Sequence, residues 1–294
     1  MNFRNACIYA VLFVSIFAPA TFAQTATPGS LAANVEERRL ASRLMGREMP
    51  YRVVLPKNYS AKRHARYPVI YLLHGYGGSY KNWTDLTGLE EYSLPYDVIV
   101  VTPEGENGWY VDQSGAPNRN YESYIVKELI PEIDAKFRTS ASREKRVIAG
   151  LSMGGYGALK FGLKYPEMFA MAGSMSGAVS ASSYRKSEDL PPGLLRTVLV
   201  PVFGEPGSAM HASNDLFKIV REASPETVRS WPFLYIDCGT EDFLFHNSRE
   251  FVEQLVGKKV PHEYRQLPGA HDWKYWDRQV QELLRVASAK ISGN

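Results

Sequence analysis

Cysteine is nearly absent: 294 residues hold two, Cys7 and Cys238. That excludes a small scaffold stapled by disulfides. A charge excess of one sign is missing too. Lys+Arg count 34 against 31 acids, a formal net of +3, too little to argue for nucleic acid or an anionic membrane surface as partner. Long apolar runs are lacking. The longest, Ala6 to Ala18, falls short of the roughly 20 residues that a spanning helix needs. No repeat or low-complexity tract is present. At 45% hydrophobic and 22% charged the composition is ordinary, which excludes wholesale disorder, collagen and coiled coil. The one surplus is tyrosine, at 18 residues.

Residues 1–23 pair a lone charge, Arg4, with the apolar run and end in Thr21-Phe22-Ala23. This is the pattern of a secretory signal peptide cleaved after Ala23, so the expected location is secreted or periplasmic, with no membrane tie after cleavage. Cys7 leaves with the signal, and Cys238 then has no partner within the chain. Residues 24–34, rich in Ala, Thr, Pro, Gly and Ser, read as a flexible leader. The folded domain is expected over 35–294.

Residues 35–55 read as a hairpin about Gly46. Val69-Ile70-Tyr71-Leu72-Leu73 is an unbroken apolar run, as in a strand buried on both faces. Similar runs lie at 97–102, 146–149, 169–174, 233–237 and 262–267. Helical patterns fall between them, at 121–137, 153–165, 246–256 and 273–289. In the first, Ile125, Leu129, Ile133 and Phe137 recur every fourth residue. Strands alternating with helices predict an α/β fold with a mostly parallel central sheet and helices on both faces. Residues 178–231 break this rhythm with Pro191-Pro192-Gly193, Pro201, Pro206-Gly207 and Pro225. They read as an insertion over the carboxyl edge of the sheet, with helix around 213–222.

Gly150-Leu151-Ser152-Met153-Gly154 is G-x-S-x-G, directly after the strand Arg146–Ala149 and before a helix. A serine at such a turn is held in a strained backbone with its hydroxyl exposed, and the flanking glycines remove side chains that would collide. Ser152 is therefore the expected nucleophile. A serine hydroxyl needs a base. Of six histidines, His271 lies between the last strand and the last helix, on the edge where Ser152 must lie. His246, near a helix start, is its competitor. Asp242 follows the strand 233–237 on the same edge and is the expected orienting carboxylate, with Glu241 as runner-up. His74-Gly75-Tyr76-Gly77-Gly78 follows the strand 69–73. The backbone amides of Tyr76 and Met153 are the expected oxyanion donors, and His74 itself reads as structural. The scattered histidines make no zinc pattern, and neither metal nor cofactor is implied.

These segments resemble the esterase D / putative esterase family of α/β-hydrolases, which includes feruloyl esterases, S-formylglutathione hydrolases and mycolyltransferases. The resemblance is carried by Arg66–Gly75, Ala149–Gly155, Cys238–Asp242 and Gly269–Trp273. Bacterial feruloyl and carbohydrate esterases look nearest, through His74–Ser79 followed by Trp83. The resemblance implies the α/β-hydrolase fold and assigns nucleophile, acid and base to Ser152, Asp242 and His271. Mycolyltransferases carry aspartate where this chain has His74. The insertion matches no member.

The expected activity is hydrolysis of a carboxylic ester through an acyl-enzyme, on a small-molecule or carbohydrate ester of feruloyl or short-chain acids. Trp83, Trp109, Tyr110 and Tyr121 are candidates to line a groove for an aromatic or sugar ring, although such rings also serve to pack loops. Acyl transfer to a sugar, an S-formylglutathione-type thioesterase and a non-catalytic binding module on the same fold remain as alternatives.

Overall fold

In strand β3, Val69–Leu73, every residue is buried. Val69, Tyr71 and Leu73 point into one apolar layer, and Ile70 and Leu72 into the other. A strand with both faces covered needs no polar alternation, which is why this run is continuous. The computed structural model describes residues 31–113, 115–184 and 194–292. The expected signal segment, most of the expected leader and Pro191-Pro192-Gly193 lie outside the described residues.

The other strands are β1 (Val35–Ser42), β2 (Arg47–Val54), β4 (Ile99–Pro103), β5 (Arg146–Leu151), β6 (Met171–Met175), β7 (Phe233–Gly239) and β8 (His262–Leu267). They form one sheet in the order β1-β2-β4-β3-β5-β6-β7-β8. β1 and β2 are the expected hairpin, turning at Gly46 with φ +61°. β2 runs antiparallel to β4, and every later pairing is parallel. The chain is thus an α/β-hydrolase fold. The ends of β3, β4, β5, β7 and β8 share one edge.

One layer holds α3 (Tyr121–Tyr124), a π turn at Ile125–Leu129, α4 (Ile130–Lys136), α5 (Met153–Lys164) and α10 (Phe245–Gly257). The other holds α1 (Asn82–Asp85), α2 (Leu89–Tyr92) and α11 (Trp273–Ser292). The π turn explains the four-residue repeat. On a helix of 3.6 residues per turn, steps of four drift by about 40° each. A wider turn reverses the drift and keeps Ile125, Leu129, Ile133 and Phe137 all buried. In α11 the buried residues Trp276, Val280, Leu283, Leu284, Ala287 and Ile291 form the usual amphipathic stripe.

The insertion is more helical than expected: α6 (Leu194–Phe203), α7 (Ala209–Asn214), α8 (Leu216–Glu222) and α9 (Pro225–Ser230). Three of these helices are started by a side chain. Ser208 accepts the His211 amide, Asp215 those of Phe217 and Lys218, and Ser224 that of Thr227. Pro225 begins a helix, at its first position, where its missing N–H costs nothing. Pro201 is carried inside α6.

Candidate active site

β5 ends at Leu151, and Ser152 takes φ +51° and ψ −115° before α5 begins. Its amide donates to Met175 O at 3.0 Å, and its carbonyl accepts the Ala178 amide at 3.1 Å, so the strained residue is held from both sides. A Cβ at Gly154 would lie 2.5 Å from the Leu73 carbonyl oxygen, and one at Gly150 2.6 Å from Gly154 backbone. Backbone cannot swing aside, so both positions of the motif exclude a side chain.

His271 Nε2 lies 3.0 Å from Ser152 Oγ, and His271 Nδ1 lies 2.9 Å from Asp242 Oδ2. The second Asp242 oxygen accepts the Leu244 amide at 2.8 Å. Burial pushes the Asp242 carboxyl up, but the His271 and Leu244 hydrogen bonds outweigh it and hold the group below its ordinary value. Glu241 has other work. Its carboxylate accepts the Gly269 amide and its own amide donates to Gly269 O at 3.0 Å, which ties the strand-end loops of β7 and β8 together. His246 lies on α10 with its ring against Phe245.

Opposite His271 stands the turn 74–78. Gly78 N donates to Gly75 O at 3.0 Å, and Gly77, with φ +74°, donates to Asn107 Oδ1 at 2.6 Å. Met153 is the first residue of α5, where an amide has no carbonyl four residues back in its helix. His74 is wholly buried. Its Nδ1 donates to Gly75 O at 2.8 Å, and its Nε2 lies 2.9 Å from the Gly105 amide and 3.2 Å from Glu104 Oε1. Burial raises the Glu104 carboxyl, but His74 and the amides of Glu106 and Tyr80 bring it below its usual range.

Four aromatic residues expected along a groove are buried instead. Trp83 donates its indole N–H to Leu73 O at 3.1 Å. Tyr110 donates to His74 O at 3.0 Å, and Tyr121 to Glu106 Oε2 at 2.6 Å. Trp109 packs against Tyr76, Tyr156 and Phe203. These rings hold the loops around the site, because burying them whole gains more than leaving a face in water. A cavity of about 210 Å³ opens at Ser152, lined by Tyr76, Leu151, His271, Trp273 and Trp276 among others. Trp273 and Trp276 are the lining aromatics that sequence reasoning missed; the signal was their position just after the motif histidine. A larger cavity of about 960 Å³ lies against α7, α8 and α10, and none of Ser152, Asp242 or His271 lines it. Among the described residues, no three His, Cys, Asp or Glu side chains cluster as a metal site requires, and no helix is long and apolar enough to cross a membrane.

The model of the family described as Putative esterase matches residues 42–286. An acetyl esterase of Caldicellulosiruptor saccharolyticus is 32% identical over 228 residues, which cover 76% of this chain and 84% of that protein. A solved ferulic acid esterase aligns with TM-score 0.74 and 28% identity, over 87% of this chain and 98% of that one. A fluorophosphonate-binding serine hydrolase of Staphylococcus aureus aligns with TM-score 0.75 and 25% identity, over 86% and 98%.

Proposed function

The chain belongs to the Putative esterase family and is an esterase, and on that premise we propose that Ser152, His271 and Asp242 hydrolyse a short-chain or feruloyl ester of a carbohydrate alcohol through an acyl-enzyme. The carrying observation is the hydrogen-bonded line from Ser152 Oγ through His271 to Asp242, at 3.0 and 2.9 Å. Ser152 Oγ attacks the ester carbonyl while His271 Nε2 takes its proton. Asp242 keeps the proton on Nδ1 and stabilises the imidazolium. The Tyr76 and Met153 amides receive the negative charge that grows on the carbonyl oxygen, where prealigned donors act most strongly. The imidazolium then protonates the leaving alcohol, and water activated by His271 frees the acid.

An acetyl or feruloyl acid is favoured by the similar proteins named acetyl esterase and ferulic acid esterase, and the carbohydrate alcohol rests on the resemblance carried by His74–Ser79 and Trp83. Export rests on the pattern of residues 1–23; fractionation of a cell expressing the whole chain tests it. For the chemistry, Ser152→Ala is to lower kcat on p-nitrophenyl acetate by roughly 10⁴-fold or more and to abolish labelling by a fluorophosphonate. Near-normal turnover in that variant sinks the mechanism. A panel of acetylated xylan, methyl ferulate and S-formylglutathione tests the substrate class, and preference for the thioester overturns it.

A further inference from the structure

Six large hydrophobic side chains are exposed among the described residues, and two of them, Tyr76 and Phe243, border the Ser152–His271 pair. Phe243 is the most exposed of the six, at 72%. The local backbone puts it there. Asp242 accepts the Leu244 amide through its side chain and the Phe245 amide through its carbonyl, at 2.8 and 3.0 Å. The residue between them sits at the tip of a tight turn and points away from the core. Its ring leans on His271, centroid to centroid 4.6 Å, while Trp276 meets the same imidazole edge-on at 4.9 Å. A phenyl ring left in water adds little to folding, so its place beside the imidazole calls for another reason.

Chemistry says which part of an ester meets that ring. In acylation the Oγ–acyl bond forms, the ester C–O bond breaks, and the proton on His271 Nε2 passes to the departing alcohol oxygen. The alcohol therefore lies on the His271 side, and the carbonyl oxygen lies toward the Tyr76 and Met153 amides. Phe243 stands against His271 just outside the cavity at Ser152, which His271 itself lines. We propose that Phe243 is the platform for the leaving alcohol, and that this enzyme selects esters whose alcohol carries a flat ring face, a sugar or an aryl group. The proposal rests on the reading of Ser152 and His271 as nucleophile and base.

The test compares kcat/KM for p-nitrophenyl acetate, an acetylated methyl xyloside and ethyl acetate in the wild type, Phe243→Ala and Phe243→Trp. In Phe243→Ala the ratio of ring ester to ethyl acetate falls about tenfold, the scale of one aromatic face contact, and Phe243→Trp recovers it. The loss falls on acylation, read as the burst rate with p-nitrophenyl acetate, because the alcohol has left before deacylation. A fall confined to the xyloside assigns a sugar alcohol, one confined to the aryl ester an aryl alcohol, and a fall in both the shared ring face. An equal fall on ethyl acetate, an equal loss in deacylation, or no fall at all overturns the proposal, the first two because Phe243 then only steadies His271. Wild-type protein that turns over none of the three esters refutes instead the reading on which the proposal rests.

Discussion

On one side of Ser152, the start of the turn at 74–78 is held by buried groups, while its tip is met by exposed Asn107. Tyr110 donates its hydroxyl to His74 O, and Lys160, wholly buried on α5, donates to the Tyr110 carbonyl and to Glu122 at 2.7 Å. On the other side, His271 is placed by two hydrogen bonds and the edge of Trp276, and the exposed Phe243 ring lies against it. The difference follows from what each side offers. An amide is part of the main chain, so it is aimed only by fixing the chain that carries it. An imidazole is aimed by its own hydrogen bonds, and its surroundings are free to meet the substrate. Precision is spent on the first side and openness is left on the second.

Each side also holds a buried carboxyl, and the two behave oppositely. Burial raises Glu122, but the Lys160 and Lys164 ammoniums override it and bring the group to about 2. Asp237, on β7, accepts from the Tyr275 hydroxyl at 3.0 Å, has the Tyr235 hydroxyl close by and, among the described residues, has no cation against it that offsets its burial. Burial dominates there and pushes it up to about 7.

The largest expected effect is on the closed side. Glu122→Gln leaves Lys160 buried without its counter-charge and is to destabilise the fold by about 3–5 kcal/mol, measured by urea unfolding. Pairing it with Lys160→Met is to recover most of that loss. If Glu122→Gln costs less than about 1 kcal/mol, the buried network is not what fixes this side and the comparison breaks.

Asp237→Asn comes next. A raised carboxyl stabilises the fold fully below its unfolded value, near 3.9, and that contribution is lost as pH rises through the folded value of about 7. Asparagine stays neutral throughout. The variant is therefore to gain on the wild type between pH 4 and 7, by up to about 4 kcal/mol for three pKa units, and to hold a constant lead above that. Glu122 works with the opposite sign: its contribution is present above 4.5 and lost as pH falls through about 2, outside the window in which Asp237 is read. A difference in melting temperature that does not change from pH 4 to 8 refutes the assignment.

Tyr110→Phe is the third. It strips a donor from the buried His74 carbonyl, at a cost of about 1–3 kcal/mol. Because the amide proposed for the oxyanion, that of Tyr76, lies two residues on, kcat is to fall by about tenfold with little change in KM. Tyr124→Phe is the matched control: Tyr124 is buried in the same layer, but its hydroxyl has no partner, and its loss is to leave both stability and rate nearly unaltered. Equal effects from the two substitutions argue for ring packing alone.

The legibility of the sequence divides along the same line. Ser152, Asp242 and His271 each follow the carboxyl end of a parallel strand, and a strand buried on both faces declares itself by an unbroken apolar run. Position along the chain was then enough to bring the three together. Whether an aromatic ring faces water is a tertiary property. Trp83, Tyr110 and Tyr121 read as groove residues, yet each has a carbonyl or carboxylate waiting for its polar atom inside the fold. The insertion was legible in part: helix was expected around 213–222, but its prolines read as breaks although Ser224 and Pro225 are a cap and a first helical residue.

The smallest expected effect belongs to the open side. A phenylalanine removed from a packed core costs about 3–5 kcal/mol, nearly all of it lost burial and the cavity left behind. Phe243 has little burial to lose, at 72% exposed, and no cavity opens at the tip of a turn. The turn itself is made by Asp242, whose bonds to the Leu244 and Phe245 amides involve no Phe243 side chain. Phe243→Ala is therefore to move stability by no more than about 0.5 kcal/mol. Its contact with His271 then serves the bound ester rather than the folded chain. A loss above about 1.5 kcal/mol in urea unfolding places Phe243 among the residues that hold the site together. In that case the histidine side is built as tightly as the oxyanion side, and the contrast between them disappears.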